Sequence, residues 1–182
     1  MWPASVPRLS NRTVVDNGWM LRDKNLIPLS HQHQHALALC VRLERSLAKG
    51  DADLAAWQDE LVQIYKSEIR FHFEAEEKVL FPAAEKHAPL QPLVRHLLSE
   101  HGTLRGFFAR AEMKRLDAAS LKTFGETLTQ HIRTEERQLF EGCQQHMPAE
   151  ELARTGKALD QYFVTSGMPG ASCQLPSSLP DK

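Results

Sequence analysis

The chain has 182 residues, a formal net charge of −1 and 25% charged residues. That length suits one domain with extra residues at its ends, and a core large enough to need no disulfide staples. The balanced charge argues against a nucleic-acid partner, no run reaches the ~20 apolar residues of a membrane span, and the three cysteines (Cys40, Cys143, Cys173) include no CxxC pair that could build a thiolate zinc site.

Residues 1–26 carry scattered Pro, Asn and Arg without a helical period and read as an N-terminal arm. They lack the charged and apolar regions of a secretory signal, so the expected location is the cytoplasm. From 27 to 165 the pattern is helical. A first helix is expected from Pro28 to Lys49, with Pro at its start and Gly50 at its end. A second is expected from an N-cap at Asp51 to Phe81, where Pro82 ends or kinks it. A third runs from Leu90 to Arg115, a fourth from Ala118 to Gly142, and a last helix, Pro148 to Phe163, packs outside the others. Residues 166–182, rich in Gly, Ser and Pro, read as a flexible tail. Four long helices with short connections predict an all-α fold: an up-down-up-down antiparallel four-helix bundle with an extra C-terminal helix.

Nine histidines are the informative feature. The second helix contains His72-Phe-Glu-Ala-Glu76-Glu77-Lys-Val-Leu80-Phe81, and the fourth contains His131-Ile-Arg-Thr-Glu135-Glu136-Arg-Gln-Leu139-Phe140. Both read HxxxEExxLF. Residues four apart share a helix face, so each His and its Glu can reach one point in the bundle centre. The apolar stripes of the first and third helices each contribute a histidine, His33 and His101. A single HxxxE pair is common on helix surfaces. Two on apolar stripes are not, because a carboxylate facing a dry core without a partner costs on the order of several kcal/mol. A metal removes that cost. The candidate ligands are therefore His33, His72, Glu76, His101, His131 and Glu135, a nitrogen and oxygen set that suits iron, with manganese or zinc as alternatives.

His33 is preferred among the three early histidines because Leu37, Cys40 and Leu47 continue its stripe; His35 stays open as the alternative, and His31 is read as a surface residue. Glu68 is read as a surface residue or an acceptor for an imidazole N–H. Glu77 and Glu136 point about 100° from their neighbours on an α-helix and are read as solvated. His87, His96 and His146 are read as bystanders, Tyr65 and Cys40 as core.

The pattern of His, HxxxEE, Glu100-His101 and HxxxEE over residues 28–145 resembles the hemerythrin-like, or HHE cation-binding, domains. The resemblance implies a carboxylate-bridged centre of two iron ions with an oxo or hydroxo bridge. It further implies small-molecule partners: dioxygen, peroxide or nitric oxide. Oxygen-carrying hemerythrins have a fifth histidine on the third helix; here Leu97 and Arg105 flank His101 at that spacing. The four-His, two-Glu set is more similar to bacterial proteins of iron-centre repair and nitric oxide handling. Fewer imidazoles leave more open coordination, which favours redox turnover, as in a di-iron oxidoreductase. The second expectation is an iron- or oxygen-sensing module acting through a protein partner.

Overall fold

A computed structural model describes residues 21–167. The expected arm before residue 21 and the expected tail after residue 167, with Cys173, lie outside the described residues. Among these, all regular structure is helical. Helix α1 is Ile27–Lys49, closed by Gly50 in the left-handed conformation, whose N–H reaches the Leu47 carbonyl. Helix α2 is continuous over 54–84 and contains two π-helical turns, Tyr65–Ile69 and Glu76–Leu80. Its N-cap is Asp53, not Asp51: the Asp53 carboxylate accepts from the Ala55 and Ala56 N–H groups, the donors a first turn leaves unpaired. Helix α3 is Gln91–Glu112. Helix α4 covers 118–146, with Asp117 as N-cap and a π turn at Glu135–Leu139. Helix α5 is Ala149–Thr165.

Two helix ends depart from expectation. Pro82 neither ends α2 nor breaks it, and the helix continues through Ala84. The turn before it is π-helical, with the Phe81 N–H bonded to the Glu76 carbonyl, and this wider turn accommodates the proline ring and its missing donor. Gly142 does not stop α4, which runs four residues further. Its missing side chain instead admits Leu90, whose Cδ2 would lie 2.5 Å from a Cβ there.

Cross-contacts set the direction of each neighbour. His33 and His72 meet near one end of α1 and α2, while Ser46 accepts from the Trp57 indole at the other. Gln58 near the start of α2 accepts from the Leu116 N–H beyond α3, and Glu77 near the end of α2 meets His101. Glu100 meets His131, and Arg110 meets Ser120. On the remaining side His33 meets Glu136, and Leu43 packs on Gly125. All four neighbouring pairs are antiparallel, which is the expected up-down-up-down bundle. Helix α5 lies outside, burying Leu152, Leu159 and Phe163.

The core is two apolar clusters with a polar layer between them. Leu29, Leu80, Leu97 and Leu139 belong to one cluster, and Ala36, Phe73, Leu104 and Leu128 to the other. In each helix the site residue falls between the two: His33, Glu76, His101 and Glu135. Cys40 and Cys143 are free and buried; burial pushes the Cys143 thiol up to about 12.

Candidate metal centre

The HxxxE spacing delivers what helix geometry promises. His72 and Glu76 project from one face of α2, His131 and Glu135 from one face of α4, and α1 and α3 bring His33 and His101 alongside. All six side chains are buried, both glutamates completely. Their ligand atoms form two groups, each within 4.8 Å: His33, His72, Glu76 and Glu135, and Glu76, His101, His131 and Glu135.

The two glutamates belong to both groups, and each divides its oxygens between them. Glu76 Oε1 lies 3.3 Å from His72 Nε2, and Oε2 lies 3.4 Å from His101 Nε2. Glu135 Oε2 lies 3.1 Å from His33 Nε2, and Oε1 lies 3.4 Å from His131 Nε2. Within each group the two imidazoles face each other through Nε2, at 3.0 Å for His33 and His72 and 3.1 Å for His101 and His131. Two imidazoles and one oxygen from each of two shared carboxylates thus surround each of two adjacent points.

The chemistry of the donors fits a pair of cations. All four oxygens of Glu76 and Glu135 are buried without a hydrogen-bond partner. Burial and the neighbouring Glu135 carboxylate push the Glu76 carboxyl well above its usual range. Burial acts the same way on Glu135, but His131 and His33 outweigh it and hold that carboxyl well below. Burial lowers His33 too, yet Glu135 and Glu136 raise it to about 8, while burial and the charge of His33 hold His72 well below the usual imidazole range. One carboxyl pushed up and one held down, both without hydrogen-bond partners among the imidazoles, fit a site suited to positive charge.

Each imidazole is oriented by an acceptor at Nδ1, which leaves Nε2 free for a metal. His33 donates to Glu136 at 2.7 Å, His101 to Glu77 at 2.8 Å, His131 to Glu100 at 2.9 Å, and His72 to the Gln32 amide oxygen at 2.7 Å. The expectation that Glu77 and Glu136 are solvated is therefore corrected. Both begin within π turns, where a wider turn fans successive side chains through a smaller angle than an α-helix does, so each reaches the bundle interior beside its neighbour. Two arginines hold them there: Arg105 grips both oxygens of Glu77 at 2.7 and 3.0 Å, and Arg22 bonds Glu136 at 2.7 Å. Burial would raise Glu77, but His101 and Arg105 overcome it and keep that carboxyl at about 2.

The final Phe of each repeat also has a role. With α1 and α2 as one helical hairpin and α3 and α4 as the other, Phe81 stacks on His101 at 5.4 Å and Phe140 on His33 at 5.5 Å, so the HxxxEExxLF segment of each hairpin clamps the histidine of the other by hydrogen bond and ring face. The repetition of the second Glu and the Phe was the available signal for this; Gln32, Arg22 and Arg105 had none.

His35 does not join the cluster. Its side chain is 71% exposed and pairs with Glu68, which is itself on the surface side. His87 pairs with Glu151, His96 with Glu100, and His31 and His146 are exposed. Beside the cluster is a cavity of about 20 Å³, walled by Ala36, Ile69, Phe73, Leu128 and Ile132 and closed by His33, His72 and His131. That is room for one water-sized molecule. No helix among the described residues is long and apolar enough to cross a membrane.

No curated protein and no solved structure matches the chain. The family model for the hemerythrin HHE cation binding domain matches residues 28–143, well over half its length, with all six clustered residues inside the match, and the chain belongs to that family.

Proposed function

We propose that the protein holds two iron ions through His33, His72, Glu76, His101, His131 and Glu135, and that the pair binds or reacts with dioxygen, peroxide or nitric oxide. The observation that carries this reading is the division of each buried carboxylate between the two groups of imidazoles. Four imidazoles and two carboxylates are a donor set of intermediate hardness, suited to iron. The bound pair would supply Lewis acidity and exchangeable electrons.

The remaining steps belong to the chain. Glu76 and Glu135 would each offer one oxygen to either position and compensate the charge of the ions. Glu77, Glu100, Glu136 and Gln32 fix the imidazoles in the tautomer that offers Nε2. Phe73, stacked on His101 at 3.9 Å, and the apolar cavity walls exclude bulk water and leave room beside the cluster for one small molecule.

The test is an anaerobic titration of metal-free protein with ferrous iron, followed by exposure to each of the three small molecules. Two ions per chain and a new absorption with at least one molecule are expected. Binding of two ions with no optical response to any of them would remove the small-molecule part of the reading, and no binding would remove all of it.

A further inference from the structure

The two hairpins repeat each other in their surroundings as well as in their ligands. Gln32 precedes His33 and reaches forward to His72 on the next helix; Glu100 precedes His101 and reaches forward to His131. Glu136 and Glu77 reach across to His33 and His101, each held by one arginine. The arginine-held carboxylates therefore contribute one to each metal position, although Arg105 grips both oxygens of Glu77 and Arg22 one of Glu136. The remaining pair differs in charge: His131 donates to a carboxylate, which also faces His96, and His72 to a neutral amide.

That difference acts on the metal through the ring. An imidazole whose Nδ1–H is held by a carboxylate carries more electron density at Nε2 and is the stronger donor; an amide oxygen orients the ring without adding charge. Since His72 offers Nε2 to the site, its proton is on Nδ1, and Gln32 must present its oxygen, as it does at 2.7 Å.

We propose that Gln32 makes the two metal positions unequal, so that the ion held by His33 and His72 is bound more weakly. Gln32 is a positioning residue here: it acts on the metal through His72. The inference rests on the two-iron reading above.

The experiment is a stepwise anaerobic titration of the metal-free full chain with ferrous iron against a competing chelator. The native protein is expected to bind two ions with affinities about 10- to 100-fold apart, the usual effect of one such partner. At one equivalent of iron-57, a Mössbauer spectrum is expected to show one dominant doublet. Gln32→Glu, which keeps the side-chain shape, brings the two affinities together by tightening the weaker event. Glu100→Gln brings them together by weakening the tighter one. His72→Ala removes the weaker event and retains the tighter. Two ions bound equally by the native protein, or an unchanged gap in Gln32→Glu with native helix content, would overturn the inference and leave the paired site standing. Fewer than two ions bound would overturn the paired site itself.

Discussion

Glu76 is where the cost of the site is concentrated. Its carboxyl is fully buried, both oxygens lack hydrogen-bond partners, and burial together with Glu135 pushes it well above its usual range. The sign of the resulting pH dependence follows. A carboxyl that keeps its proton in the folded state but loses it in the unfolded one, near pH 4.3, contributes stability at low pH that is lost as pH rises. His33, raised to about 8 after its carboxylate partners outweigh burial, adds in the same direction between its ordinary value of 6.5 and that value. Burial holds His72 and His101 below the usual imidazole range, and they act in the opposite sense below pH 6.5, so metal-free protein is expected to lose stability between pH 6.5 and pH 8, read as a falling urea midpoint. Glu76→Gln removes the carboxyl's share, so its midpoint falls less over the same interval. An equal fall in both proteins would show that Glu76 is ionised in the metal-free fold. The same substitution is expected to abolish binding of the second ion, since an amide cannot bridge two cations as a carboxylate does.

At the scale of elements, the helices were legible because their apolar stripes are long and regular, and the six clustered residues were legible because they interrupt those stripes in phase. Glu77 and Glu136 were not, because a 100° step per residue assumes an α-helix, and a π turn begins at the very residue before each. The same assumption made Pro82 a stop. Gly142 and Gly156 show another limit: a glycine inside a helix can mark a stop or a close approach, and only packing decides. A Cβ at Gly142 would meet the far end of the Leu90 side chain, which can turn aside. At Gly156 it would lie 2.5 Å from the Cβ of Asn25, in the segment that leads into α1, and a Cβ cannot swing away. Gly156→Ala is thus expected to destabilise the protein by about 1–3 kcal/mol, by overpacking α5 against residues 23–26. Gly142→Ala is expected to cost less than about 1 kcal/mol, because Leu90 can change rotamer. Thermal unfolding of the two variants checks the order, and both retain the native metal stoichiometry, since neither residue touches the cluster.

For the whole molecule, the polar layer divides a core that would otherwise be continuous. Leu29, Leu80, Leu97 and Leu139 pack on one side and Ala36, Phe73, Leu104 and Leu128 on the other, with each of α1 to α4 crossing the layer once. Without cations, two stranded carboxyls and four imidazoles sit where apolar contact would otherwise join the halves. With cations, the same six side chains become bonds between all four helices. Metal binding is therefore coupled to folding in a direction that can be measured. An ion that binds only the native state stabilises it by about 4 kcal/mol when free at a thousand times its dissociation constant. In a domain of this size each kcal/mol moves the midpoint of thermal unfolding by about 2–4 °C, so one tightly held ion is expected to raise it by about 8–16 °C. Chelator-treated protein should unfold at the lower temperature, and the midpoint should climb with the logarithm of free ferrous iron on reloading. The variant Glu135→Gln should show little of that climb, and its metal-free form is expected to unfold somewhat earlier than the native one, because His33 and His131 lose their buried carboxylate partner. A midpoint indifferent to metal would mean that the layer is already satisfied without it, against the orphaned oxygens of Glu76 and Glu135.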